Sequence, residues 1–294
     1  MRVFVTGATG FIGSVVVKNL LSAGHSVLGL SRSDEGAREL TAAGAQALRG
    51  SLEDLDSLRR GAAEADAVIH TAFNHDFSRF QQNCEQDRQA IEAMGKVLAG
   101  SGKTLIVTSG VALVAHGRPA TEEDAPPPLG SGFPRASEHA AAEVAKRGVK
   151  TMVIRLPQVH DTQKQGLVSF AIQIAREKGI SVHIGDGENR WAAAPRLAAA
   201  KVYQLALEKG QAGARYHAVA EEGVRARDIA EAIGRGLNIP VKSIPQEEAA
   251  AHFGWLAPFA GLDLTASSEK TRNELGWNPT GPTLLEDLEN MQYS

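Results

Sequence analysis

The sequence has a single cysteine, few aromatic residues and no long apolar run. Cys84 is the one cysteine among 294 residues, which excludes an intrachain disulfide and a cysteine-rich metal site. No apolar run is long enough to cross a bilayer, and the first five residues lead into a glycine turn without the apolar core of a signal peptide. We therefore expect a cytoplasmic protein that is not bound to a membrane.

The sequence also lacks an excess of charge of either sign. It contains 31 lysines and arginines against 34 aspartates and glutamates, for a formal net charge of -3. Such a mixture gives no basic field to attract nucleic acid or an anionic membrane surface, so neither partner is expected. The nine histidines lack metal-ligand spacing, and no G-x-S-x-G motif indicates a serine hydrolase. No metal site is predicted, and the expected partner is a small-molecule substrate.

Strand-length apolar runs alternate regularly with helical patterns. The predicted strands cover residues 3–5, 27–30, 67–69, 105–107 and 152–154. The predicted helices between and after them cover residues 11–23, 34–43, 55–63, 80–98 and 137–146. This alternation is typical of an α/β fold with a doubly wound parallel sheet between two helical layers. The pattern loosens after about residue 155, with short strands at 182–184 and 216–219, which predicts a smaller C-terminal lobe.

The first strand runs into a turn with glycines at the spacing G-x-x-G-x-x-G. Gly7 permits the tight turn, Gly10 lets backbone approach a pyrophosphate, and Gly13 allows the following helix to pack closely on the strand. The N-terminus of that helix then holds the phosphates. The segment therefore predicts a dinucleotide site, and the cofactor-binding residues expected in it are Gly7, Thr9, Gly10, Phe11, Ile12 and Gly13.

The end of the second strand indicates which dinucleotide is bound. An acidic residue there would hold the ribose hydroxyls of NAD, but this sequence has Ser31 and Arg32. A hydroxyl and a guanidinium match a 2′-phosphate, so NADP(H) is favoured over NAD(H). Asp34 and Glu35 follow, and we expect them to charge the first turn of the next helix rather than to contact a ribose.

The segment Thr6-Gly7-Ala8-Thr9-Gly10-Phe11-Ile12-Gly13 resembles the opening of the extended and atypical short-chain dehydrogenases/reductases, the group that contains the NAD-dependent epimerase/dehydratases. Residues 66–72, 104–109 and 153–157 resemble the fourth, fifth and sixth strands of this family. The resemblance implies a Rossmann-type dinucleotide-binding domain over residues 1–155. It implies a mainly substrate-binding lobe over 156–294, with some segments returning to the sheet. It also implies a homodimer and further cofactor contacts from His70, Thr71, Ala72, Thr108 and Pro157.

The catalytic pair of that family is missing. Its members use a Tyr and a Lys four residues later, and residues 132–143, which resemble that helix, contain neither. Aligning the motif on Ser137 puts Pro134 and Glu138 at the two positions, whereas a second alignment puts Arg135 and His139 there. The tyrosines all lie downstream, at Tyr203, Tyr216 and Tyr293.

Other residues are therefore candidates for the chemistry. We consider Ser109, Glu138 and His139 as catalytic, since histidine is a common general acid or base and a desolvated glutamate could act as an acid. The alternatives are a His139–Glu143 pair on the helix surface and an ordinary surface carboxylate.

Arg135, His160 and Trp191 are the candidate substrate-binding residues. Arg135 lies one helical turn before His139, and His160 belongs to the loop expected near the nicotinamide. The alternatives are a loop histidine that satisfies local backbone groups and a core position for Trp191.

The sequence leaves three functions open. The first is an NADP-preferring oxidoreductase that reduces a small carbonyl or related compound. The second is a catalytically silent NAD(P)-binding sensor, and the third is a nucleotide-sugar epimerase/dehydratase, whose chemistry needs an efficient acid/base at the missing Tyr position.

Overall fold

The computed structural model describes residues 1–293, and its centre is a parallel sheet. The strands of this sheet are β1 (Arg2–Thr6), β2 (Ser26–Ser31), β3 (Gln46–Arg49), β4 (Ala67–His70), β5 (Thr104–Gly110), β6 (Lys150–Leu156) and β10 (Arg215–His217). Within the described residues these seven strands have the order β10-β6-β5-β4-β1-β2-β3, and every neighbouring pair is parallel. This confirms the predicted Rossmann-type α/β fold.

Helices cover both faces of the sheet. They are α1 (Gly13–Ser22), α2 (Asp34–Ala42), α3 (Leu55–Ala63), α4 (Phe80–Leu98), α5 (Ser137–Ala145) and α7 (Arg196–Lys209). Side chains of a strand alternate between faces, and β1 shows this directly. Val3 and Val5 pack with α1 and α7, whereas Phe4 packs with α3, α4 and α5. The sheet is therefore buried on both sides, as an apolar parallel sheet requires.

The C-terminal lobe has two small sheets and its own core. Its strands are β7 (Gln158–His160), β8 (Ser181–Ile184), β9 (Arg190–Pro195), β11 (Glu221–Arg225) and β12 (Val241–Ile244). Its helices are α6 (Val168–Lys178), α8 (Ala226–Leu237), α9 (Ala249–Phe253), α10 (Ala257–Ala260), α11 (Glu269–Leu275) and α12 (Leu284–Glu289). Strands β11, β9 and β7 form one sheet and β12 and β8 the other. Among residues 1–293 no helix is long and apolar enough to cross a membrane.

Several strands differ from the sequence prediction. β3 was not predicted because its residues are polar or half-exposed at the sheet edge. The strand expected at 216–219 ends at His217 and pairs with β6, so this part of the chain joins the central sheet. The first helix begins at Gly13 rather than Phe11, since residues 7–12 form the glycine turn.

Candidate cofactor and substrate site

A cleft of about 570 Å³ opens at the carboxyl ends of the central strands. Its floor includes the residues that follow β1, β4, β5 and β6. The strand order reverses between β1 and β4, and the connections on either side leave the sheet in opposite directions. Crevices at such a reversal are where open α/β sheets bind ligands. The cleft therefore lies where the glycine turn predicts a dinucleotide.

The glycine positions of the turn leave no space for a Cβ. Gly7 has φ +66°, and a Cβ there would lie 2.8 Å from the backbone nitrogen of Ala72. A Cβ on Gly13 would lie 2.0 Å from the Gly7 carbonyl oxygen. Within the described residues no side chain caps the N-terminus of α1, and its first turn has no acidic residue. The positive dipole end of this helix fits the phosphates of a dinucleotide.

Arg196, at the start of α7, holds this turn from the C-terminal lobe. Its guanidinium donates to the Phe11 carbonyl and, over 2.9 Å, to the Ser14 hydroxyl. The same group pairs with Asp161 at 3.0 Å and lies 4.5 Å from the centre of the Phe11 ring. The sequence analysis missed this residue, because nothing close to it in the chain indicates the contact.

At the ribose end, the two predicted 2′-phosphate ligands differ in position. Arg32 is exposed and lines the cleft. Ser31 is 2% exposed and outside the lining, and its hydroxyl donates to the Ser33 carbonyl over 2.9 Å. Asp34 pairs with Arg49 at 3.4 Å, outside the lining as expected. The adjoining wall, which the sequence analysis did not identify, consists of Ser51, Leu52 and Glu53.

The centre of the cleft places Ser109 and Arg135 close to the end of β5. Both line the cleft. The Arg135 guanidinium donates to the Thr108 carbonyl over 3.2 Å and to the Ser137 hydroxyl over 3.1 Å, and it lies 4.4 Å from the centre of the Phe73 ring. These contacts hold a planar cation at one of the two positions at which the family has its Tyr.

A chain of buried hydrogen bonds begins at Ser137, whose hydroxyl accepts from Arg135. The Ser137 hydroxyl donates to Asp87 over 2.5 Å, and the other oxygen of Asp87 lies 3.1 Å from His70 Nε2. The Nδ1 atom of His70 lies 2.7 Å from the Thr6 hydroxyl. Burial alone would raise the pKa of Asp87, but hydrogen bonds and the nearby charges of His70 and Arg135 hold it below its ordinary value. His70, predicted as a cofactor contact, is 1% exposed and lies behind the cleft wall.

Neither proposed acid on α5 has the expected setting. Glu138 borders the cleft, but both of its oxygens accept hydrogen bonds from Arg155 at 2.8 Å, and Arg215 pairs with it at 3.2 Å. A carboxylate held by two arginines is a poor proton donor. His139 is not in the lining, and its Nε2 lies 2.9 Å from the Pro127 carbonyl oxygen. Its surface alternative is also wrong, since Glu143 pairs with Lys146.

The structure does not bring His160 or Trp191 to the cleft. His160 is fully buried, and its Nδ1 lies 2.6 Å from a carboxylate oxygen of Asp287 on α12. Trp191 is 6% exposed and packs in the core of the C-terminal lobe. His160 lies in β7 and Trp191 in β9, and the sheet of these strands turns both side chains into the lobe interior.

No tyrosine in the described part of the chain lines the cleft. Tyr203 approaches most nearly, since its hydroxyl lies 2.8 Å from the Thr108 hydroxyl. Its ring is fully buried behind the wall, and this burial raises the pKa of the phenol. A buried phenol of raised pKa does not replace the missing proton donor.

Phenylalanine dominates the opposite end of the cleft. Of the nine phenylalanines, all within the described residues, seven line the cleft as a whole: Phe11, Phe73, Phe77, Phe80, Phe133, Phe170 and Phe259. His75 lies at this end, with its ring 5.3 Å from Phe73 and 6.2 Å from Phe77. Burial and the charges of Arg135 and Lys164 lower the pKa of His75 to about 4, so it is uncharged at neutral pH.

A family model described as NAD(P)H-binding matches residues 7–183, which is more than half of the chain. The chain belongs to this NAD(P)H-binding family. It is 48% identical to an uncharacterized protein of Schizosaccharomyces pombe over all of both chains. It is 27% identical to 4-hydroxy-2-methyl-3-oxo-4-farnesyl-3,4-dihydroquinoline-1-oxide ketoreductase of Stigmatella aurantiaca, over 94% of this chain and 92% of that protein.

Among solved structures, the chain resembles UDP-glucose 4-epimerase of Thermus thermophilus in complex with NAD. The TM-score is 0.75 at 21% identity, with 99% of this chain and 98% of that one covered. The resemblance to extended short-chain dehydrogenases/reductases is thereby confirmed, and the fold is that of the epimerase/dehydratases. Among residues 1–293 no group of three or more His, Cys, Asp or Glu side chains could hold a metal ion.

Proposed function

We propose that the protein is an NADP(H)-preferring reductase of carbonyl compounds, in which Ser109 and Arg135 hold the substrate oxygen. The observation that carries the proposal is the position of these two donors at the end of β5, beside a cleft that fits a dinucleotide. Arg32 supports the preference for NADP(H), because its guanidinium is free to meet a 2′-phosphate at the ribose end. The similarity to a ketoreductase supports a carbonyl as the reacting group.

Arg135 differs from the tyrosine of related enzymes in what it can supply. Its guanidinium stays protonated in proteins, so it stabilises the negative charge that develops on the substrate oxygen without giving up a proton. A dinucleotide held by the glycine turn would supply the hydride for reduction of the carbonyl to an alcohol, and water would supply the proton, since Arg135 keeps its own. The Thr108 carbonyl and Ser137 hydroxyl fix the guanidinium for this role.

The test is NADPH oxidation with a panel of aldehydes and ketones. Arg135→Met and Ser109→Ala should each lower kcat about 100-fold and change the Kd for NADPH little, because each removes a donor to the developing oxyanion. Arg225→Met is the matched control, since Arg225 is exposed and pairs with Asp228 away from the cleft. Unchanged kcat in both site variants would contradict the assignment.

Cofactor binding without turnover is the second candidate function. It is favoured by the position of all three tyrosines outside the cleft in the described chain. Tight NADPH binding with no oxidation across the panel would support it. Sugar-nucleotide interconversion, the third candidate, is tested in the same assay by offering NAD with UDP-glucose.

A further inference from the structure

We infer that the substrate end of the cleft selects a carbonyl compound with an apolar, aryl-bearing body over a polyhydroxylated one. The inference rests on the reductase function proposed above and names its substrate class. Its basis is a group of half-buried rings that we call the phenylalanine compartment: Phe73, Phe77, Phe80, Phe133 and Phe170.

The five rings form a connected set. Phe80 lies 6.2 Å from Phe73, 5.6 Å from Phe77 and 5.9 Å from Phe133, measured between ring centres. Phe170 meets Phe77 edge to face at 5.5 Å. Such spacings are those at which aromatic rings attract one another, and they present ring edges and faces to a ligand.

These rings are not part of the folding core. Phe73, Phe77, Phe80 and Phe133 belong to none of the buried apolar clusters of residues 1–293, and Phe170 touches one only from its edge. They converge from the segment after β4, the segment before α5 and α6 itself. Since a contiguous apolar surface kept partly open to water is typical of a binding site, these rings indicate an apolar ligand.

Trp255 closes the outer rim of the compartment. Its ring stacks on Phe77 at 4.3 Å with an angle of 8° and meets Phe170 edge to face at 4.9 Å. Because Trp255 lies in the C-terminal lobe, 40% exposed, and Phe77 follows β4 in the cofactor domain, the pair joins the two parts of the chain beside the compartment.

Part of the polar lining near the compartment is already hydrogen-bonded within the protein. The side-chain oxygen of Gln158 accepts from the backbone of Leu167 at 2.8 Å, and Arg135 is committed on one side to Thr108 and Ser137. Asn74, His75 and Lys164 also line the cleft, but a substrate hydroxyl that faces the rings has no partner there and costs about 1–3 kcal/mol. The rings therefore disfavour a polyhydroxylated body.

The experiment compares benzaldehyde with D-erythrose, two aldehydes with equal numbers of non-hydrogen atoms, using NADPH and the full chain. We expect kcat/KM for benzaldehyde to exceed that for erythrose about 100-fold. Phe80→Ala and Phe133→Ala should each lower the benzaldehyde value about 10-fold, mainly through KM, and lower the erythrose value by a smaller factor. Leu197→Ser is the control, because Leu197 is 69% exposed and outside the cleft.

A binding measurement separates this inference from the reductase function. Benzyl alcohol is titrated into the NADP-bound protein by calorimetry, with erythritol as the polar comparison. Binding of benzyl alcohol that Phe133→Ala weakens, without benzaldehyde-dependent NADPH oxidation, would overturn the reductase and keep the compartment. Turnover of erythrose equal to or faster than that of benzaldehyde would overturn the compartment and keep the reductase. Absence of both binding and turnover would overturn both.

Discussion

The two ends of the cleft differ in the atoms that form them. The cofactor end consists of backbone, with glycines where a Cβ would collide and helix N–H groups without side-chain caps. The substrate end consists of side chains, mostly phenylalanine rings from segments far apart in the chain. From this difference we infer that dinucleotide binding depends on the backbone conformation. The choice of substrate then depends on side chains, which can be substituted without changing that conformation.

The largest expected effect concerns Glu138. It tests whether this carboxylate acts as an acid at the substrate end or stabilises the fold. Glu138→Ala leaves the fully buried Arg155 without its carboxylate and should lower the free energy of unfolding by about 3–5 kcal/mol. Urea denaturation measures this loss. Glu143→Ala, which breaks an exposed pair with Lys146, should leave the free energy of unfolding nearly unchanged. Equal stability of the two variants would show that the buried pair is not structural.

The next test concerns the backbone of the cofactor end. Gly13→Ala places a Cβ 2.0 Å from the Gly7 carbonyl oxygen, so the turn must shift and NADPH binding should weaken about 100-fold, near 3 kcal/mol. Fluorescence titration of NADPH measures the change. Gly102→Ala, at a surface turn with left-handed backbone where a Cβ meets nothing within 4 Å, should keep wild-type affinity.

The third test uses pH and a buried histidine behind the Glu138 pair. Burial and the neighbouring Arg155 charge lower the pKa of His217 to about 4 from its ordinary value of 6.5. The unfolded chain therefore binds a proton between those values that the folded chain does not, so stability falls as pH drops through this window. From pH 7.5 to 5.0 the contribution of His217 should be about 2 kcal/mol. Denaturation of His217→Gln at both pH values should show a correspondingly smaller loss.

The smallest expected effect sharpens the comparison at Arg32, where the cofactor end relies on a side chain. Arg32→Ala should weaken NADPH binding about 10-fold by removing a charge-assisted contact to the 2′-phosphate, and should change NADH binding less than about 2-fold. Arg38→Ala on α2, outside the cleft, is the control. Equal weakening of both dinucleotides by Arg32→Ala would contradict the NADP preference.

The same contrast explains how much the sequence could predict. The fold and the glycine turn were predicted because their patterns are local: alternating elements and three glycines within seven residues. The phenylalanine compartment was not predicted, since residues far apart in the chain, such as Phe77 and Phe170, meet only after folding. Ser31, His70, His139, His160 and Trp191 were placed near the site from their positions in the chain, but the structure turns them into the interior or away from the cleft.

Other predicted site residues do lie where expected. Thr71, Ala72, Thr108 and Pro157 line the cleft with the glycine turn, and their contact with a dinucleotide stays a prediction. Arg135 also lines it, and sequence alone could not decide between Arg135 and His139, because both belong to the same alignment of the missing motif. The contacts to Thr108 and Phe73 now favour Arg135.

Arg196 connects the glycine turn to the segment after β7. One guanidinium touches the Phe11 carbonyl in the glycine turn and Asp161 in the segment that leads to Lys164 at the cleft. A dinucleotide that tightened the turn would act through this group on the segment beside the cleft. By reciprocity, a substrate that shifted that segment would then change the affinity for the dinucleotide by the same factor.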